Sequence, residues 1–162
     1  MNARELMNLL DLARYGVLAT SRLDGRPHAS PVGFVLAEGS FWIASLPGVR
    51  LRNLRLQPYA SLVITRGSRA RHQALMVEGT VRLHPPQDMP LHVGARWVNR
   101  YGAEPAWAAA LIELRPGRLF SHAASLLPPV SASSRGEFVA RGRGGSSLET
   151  VAATVGPAMG GR

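Results

Sequence analysis

The sequence predicts a mainly β domain: six or seven mostly antiparallel strands closing into a small barrel, with two or three capping helices. Three observations carry that expectation. Short runs of alternating apolar and polar residues, bounded by Gly, Pro and Asp, recur along residues 15–116. Helical spacing is confined to a few short stretches between them. At 162 residues the chain can bury one sizeable core and is short for two.

Residues 3–14 place Leu6, Leu9, Leu10 and Ala13 on one face at helical spacing and read as an amphipathic helix. "YGVLATS" (15–21) reads as a strand, and "RLDGR" supplies an Asp24-Gly25 turn. The next strand, within "DGRPHASPVGFVL" (24–36), is unusual because proline and glycine weaken a central strand. Period two separates it into a face of His28, Ser30, Val32, Phe34 and Leu36 and a face of Ala29, Pro31, Gly33 and Val35. The second face is small at three successive positions, where another backbone or a flat ligand can approach; a bulged edge strand with no ligand fits the pattern as well. A turn at "AEGS" and a strand "SFWIAS" (40–45) follow, so the opening strands read as an antiparallel meander.

In "LPGVRLRNLRLQP", Pro47 and Gly48 form a turn and residues 49–57 a short helix stopped by Pro58. "YASLVITR" (59–66) and "QALMVEGTVRLH" (73–84) read as strands joined by an arginine-rich loop, with a bulge at Glu78 and Gly79. A helix is expected from about Gln87 to Tyr101, with Pro90 in its first turn. The last strand, "AALIELRP" (109–116), leads through a turn at Gly117 into "RLFSHA". From Ser131 the composition turns to Gly, Ser and Ala with few large apolar residues, too few to offset the entropy of ordering. The expected division is therefore a folded domain over 1–130 and a flexible Gly/Ser/Arg-rich tail over 131–162.

Composition excludes several chemistries. Without cysteine there is no disulfide, thiolate metal site or cysteine nucleophile. The five histidines have no metal-ligand spacing, and no serine sits in a nucleophile elbow. The first sixteen residues lack the apolar core of a signal peptide, and no stretch approaches a membrane span, so a soluble cytoplasmic protein is expected. The formal charge of +9 is carried entirely by arginine, which grips phosphate in a planar, bidentate way. Redox chemistry in such a chain has to come from a cofactor. "SLPGVRLRNLR" is the candidate anchor, because a strand-to-turn-to-helix passage leaves free amides at a positive dipole end. Arg50 and Asn53 share one helix face, Arg52 and Arg55 another, and Leu51 and Leu54 point inward. A solvated basic connector would have the same sequence.

"GVLATSRLDGRPHASPVGFVLAEGSFWIAS", followed by "GVRLRNLRLQPYASLVI" and "MVEGTVRLH", resembles the pyridoxamine 5′-phosphate oxidase-like split β-barrel family of flavin- and deazaflavin-binding proteins. The resemblance spans residues 5–120 and rests on the order of these segments. It implies a homodimer with two cofactors at the subunit interface, each ring against the second strand and each phosphate at the basic helix. Arg50 stands where the family commonly has lysine, and Arg52 and Asn53 match. His28, Ser30, Pro31, Val32 and Gly33 on the second strand, Ser45 at the end of the third, and Trp97 on the later helix complete the implied cofactor site. The implied activity is hydride transfer between FMN, or the deazaflavin coenzyme F420, and a small organic substrate. The alternative is a non-catalytic flavin- or haem-binding protein on the same barrel, with His28 or His122 as axial ligand. The basic surface around Arg66, Arg69 and Arg71 would suit an acidic deazaflavin tail. The "SLPG" turn departs from the family's usual Thr/Ser-rich turn, and residues that grip pyridoxal phosphate are not recognisable. Nucleic-acid binding through the tail is disfavoured, since Phe138 is its lone aromatic residue.

Overall fold

The computed structural model describes residues 1–67 and 71–125. Seven strands form one antiparallel sheet: β1 (Tyr15–Ser21), β2 (Pro27–Gly33), β3 (Val35–Ala37), β4 (Ser40–Ser45), β5 (Tyr59–Gly67), β6 (Arg71–His84) and β7 (Ala110–Ser125). Their order is β2-β1-β5-β6-β7-β4-β3. The two edge strands, β2 and β3, are consecutive in the chain and meet at Phe34, so the sheet curls into a half-barrel. Three helices complete it: α1 (Ala3–Leu12), α2 (Val49–Leu56) and α3 (Leu91–Tyr101). The expected mainly β barrel with helical caps is what the chain forms.

The inner face of the sheet is the main core. Leu18, Leu62, Ile64, Leu75, Val77, Ile112 and Leu114 pack there with Leu9 and Leu10 of α1 and Leu51 and Leu54 of α2. The N-terminus of α1 is fixed by a capping box, in which Asn2 Oδ1 accepts from Glu5 N and Glu5 Oε2 from Asn2 N. α3 lies on the other side, where Val93 and Trp97 cover Val35, Ala37, Trp42, Ala44 and Leu111.

Three local expectations are corrected. The opening strands are not a meander: β2 pairs with β1, β3 pairs with β4, and these hairpins lie at opposite ends of the sheet. Residues 24–36 therefore do not form one strand. The helix after His84 begins at Leu91, preceded by a one-turn 3₁₀ segment at Pro86–Asp88, because Pro85, Pro86 and Pro90 break the earlier part. Gly117 does not make a turn; β7 runs straight through it. The expected bulge at Glu78 and Gly79 is present, and it explains Gly117. Glu78 faces Arg118 and Gly79 faces Pro116, leaving Gly117 as the extra residue. A Cβ on Gly79 would lie 1.9 Å from the Arg115 carbonyl oxygen, so only glycine fits. The tail over 131–162 and Arg69 lie outside the described residues.

Candidate functional site

β2, β4 and α2 bring three of the expected residues to one point. Arg50 sits in the first turn of α2 and points back across the sheet's opening. Its Nε donates to Ser45 Oγ at 3.1 Å and its Nη1 to Ser30 Oγ at 2.9 Å. Ser45 is fully buried, and its hydroxyl donates onward to the Leu46 carbonyl at 2.9 Å. The arginine is thus aimed by two hydroxyls, both neutral. No carboxylate pairs with it among the described residues. Burial lowers its pKa from the ordinary value, the mark of a cation missing part of its hydration.

The N-terminus of α2 adds to the same electrostatics. Gly48 caps it at φ 156°, ψ −166°, a region essentially reserved for glycine, with no side chain over the helix end. The amides of Val49, Arg50 and Leu51 have no acceptor among the described residues, as expected of an uncapped first turn.

Asn53 is placed differently from the expectation that it faces a ligand. It is buried, and its Nδ2 donates to Thr20 Oγ1 at 3.0 Å; Thr20 in turn donates to the His28 carbonyl at 3.4 Å. In this structure Asn53 pins α2 to β1 and β2. Arg52 is exposed. His28 is half-buried beside Ser30, while Val32 enters the core. His122 is exposed on β7.

The small face of β2 is also only partly open. Pro31 and Ala29 are exposed on an edge strand, as expected. The space beside Gly33 is filled by the chain itself: a Cβ there would lie 3.1 Å from Tyr101 Oη and 3.4 Å from Trp97 Cη2. Trp97 is buried against Tyr101, with ring centroids 4.4 Å apart, and so packs within its own chain.

Sequence reading missed Tyr101. Phe34 leaves β2 and has not yet joined β3, so its backbone groups lack ladder partners. The Tyr101 hydroxyl replaces them, accepting from Phe34 N at 2.8 Å and facing the Phe34 carbonyl at 3.0 Å and the Arg14 carbonyl at 2.6 Å. The only available signal was an aromatic at the end of the later helix.

Among the described residues no group of His, Asp and Glu could hold a metal ion, and no helix is long and apolar enough to cross a membrane. Solved structures with the same fold include a conserved hypothetical protein from Mycobacterium tuberculosis, at 21% identity over 75% of this chain and 84% of that one, with a TM-score of 0.62. The heme storage protein HutZ from Vibrio cholerae matches at 22% identity over 73% of this chain and 92% of that one, with a TM-score of 0.62. A FAD-binding protein from Mesorhizobium loti matches at 20% identity over 76% and 93% of the two chains, also with a TM-score of 0.62. No curated protein matches. The family described as pyridoxamine 5′-phosphate oxidase matches residues 3–123, nearly all of the curled sheet and its helices, and the chain belongs to that family.

Proposed function

We propose that the chain binds FMN at the Arg50 site as a homodimer and uses it to move a hydride to or from a small organic substrate. The observation that carries this reading is the half-buried Arg50 guanidinium, which has only the hydroxyls of Ser30 and Ser45 as partners. An uncompensated cation at that depth is stabilised by an anion, and a phosphate monoester matches its fork and the free amides of α2. The bound flavin supplies the redox chemistry. The protein's part is to orient Arg50 through Ser30 and Ser45, to hold α2 in place through Asn53, and to leave the Ala29–Pro31 face of β2 open to a flat ring.

A second feature supports the dimer. By register, Pro31, Val17, Val63, Met76 and Phe120 stand side by side across β2, β1, β5, β6 and β7. Val17 is 43% exposed and Phe120 49% exposed. A continuous apolar row across a sheet face is the kind of surface a second copy covers, which would also exclude water from a ring lying beside Pro31. The M. loti neighbour binds FAD and the V. cholerae neighbour stores heme by their names, so the same barrel accepts flat cofactors of both kinds.

Absorbance of the purified full chain, followed by titration with FMN, a deazaflavin and haem, tests the reading. A flavin doublet or saturable FMN quenching is expected. Tight binding of haem or a deazaflavin with no FMN binding would refute it.

A further inference from the structure

Away from Arg50, a cavity of about 370 Å³ opens between α1 and α3 over β3. Its floor is apolar, built by the buried Leu10 of α1 and Val35 of β3, with Leu36 and the half-exposed Met7 beside them. Its rim carries Asp11, Arg14, Arg96, Asn99 and Arg100. We infer that this cavity binds a small monocarboxylate with a compact apolar body, a site separate from the flavin site and independent of it.

The walls are preformed. Arg100 Nη2 donates to the Leu10 carbonyl at 2.6 Å and to the Ala13 carbonyl, and its guanidinium lies 4.9 Å over the Phe34 ring. Tyr101 ties the same end of α3 to the Arg14 carbonyl. The last turn of α3 is thereby bolted to the end of α1, so the cavity is not a fluctuating gap between loosely packed helices.

Charge selects the ligand. Arg100 is spent on the carbonyl end of α1, where a cation belongs. Arg14 and Arg96 are exposed and have no ion pair among the described residues; Asp11 has none either. With Arg100, whose charge the carbonyl end of α1 offsets only in part, three arginines against one aspartate leave the lining net positive, so it attracts an anion. Inorganic phosphate would meet that charge but leave Leu10, Val35 and Leu36 uncovered. The volume lies near the lower end for small-molecule pockets, about 300–1,000 Å³, which fits one ring or a short branched chain rather than a nucleotide or long acyl tail. The apolar floor rewards such a body, and the paired arginines can fork onto its carboxylate.

The probe is benzoate, titrated calorimetrically into the full-length protein, with neutral benzamide of the same shape as comparison. Benzoate should bind with a Kd below about 1 mM, and benzamide at least about 10-fold more weakly. Arg96→Gln and Arg14→Gln, both at exposed positions that the fold does not depend on, should each weaken benzoate by about 10-fold or more. Arg50→Ala should leave benzoate affinity within about twofold, which separates this site from the flavin site. Equal affinities for benzoate and benzamide, unchanged affinity in both arginine variants, or loss of benzoate binding on Arg50→Ala would overturn the inference. So would a failure of benzoate to bind, whatever the outcome with FMN.

Discussion

Tyr101→Phe tests how the half-barrel is held where its two edges meet. The hydroxyl accepts from Phe34 N at 2.8 Å and reaches the Arg14 carbonyl at 2.6 Å. It carries one proton, so it donates to one carbonyl at a time and accepts the Phe34 amide throughout. The ring itself packs against Trp97, and phenylalanine preserves that contact. What is lost is therefore the hydroxyl alone. Leaving a part-buried amide without a partner costs about 1 to 3 kcal/mol, and the deleted bond to Arg14 about 1 more, so destabilisation by about 2 to 4 kcal/mol is expected. With an m-value of about 2 kcal/mol/M, the urea midpoint should fall by about 1 to 2 M at constant slope. Tyr15→Phe is the control: Tyr15 is 65% exposed and its midpoint should move by less than about 0.25 M. A Tyr101→Phe shift as small as the control's would mean that water satisfies Phe34 and that the junction needs no pin.

Other substitutions test separate parts of the account. Burial pushes the Glu113 carboxyl up, but hydrogen bonds from Arg115, His84 and Ser40 and the charge of Arg115 outweigh it, and its net pKa is lowered. Its stabilisation is therefore complete above the ordinary carboxylate value of about 4.3 and is lost as pH falls through the lowered one; thermal unfolding of Glu113→Gln should show a flatter acid limb than the parent. Gly79→Ala forces a Cβ onto the Arg115 carbonyl and should cost about 3 kcal/mol or more by chemical denaturation, or prevent folding, whereas Gly25→Ala at an open turn should cost about 1 kcal/mol. Asn53→Ala should cost about 2 kcal/mol by leaving the buried Thr20 Oγ1 without its donor, and adding Thr20→Val should recover part of that loss in a double-mutant cycle.

The fold was legible where local chemistry decides it. The leucine spacing of α1, the Asp24-Gly25 turn, the Pro58 stop after α2 and the glycine bulge at Gly79 are all short-range signals. The break at Phe34 was not, because the two period-two faces of residues 28–36 say nothing about which strand lies alongside. Pro116-Gly117 looked like a turn for a related reason: its partner, Gly79, lies on another strand and turns the pair into a bulge. At the candidate site, basic residues on a short helix were readable from spacing, but their division of labour was not. Arg50 turns to Ser30 and Ser45, while Asn53, on the same nominal face, goes inward to Thr20. A helix face is an average over a turn, and which residue reaches the ligand side depends on strands 20 to 33 residues away.

The central claim is that Arg50 is a phosphate anchor, and comparing FMN with riboflavin, which lacks only the phosphate, addresses it most directly. Affinities of both for the parent protein and for Arg50→Ala form a closed cycle read by flavin fluorescence. The parent should prefer FMN by about 100-fold, and Arg50→Ala should reduce that preference to about threefold or less while leaving riboflavin affinity unchanged. Arg55→Ala, on the opposite helix face, should keep the full preference. A preference for FMN that survives in Arg50→Ala, or is lost equally in Arg55→Ala, would contradict the account.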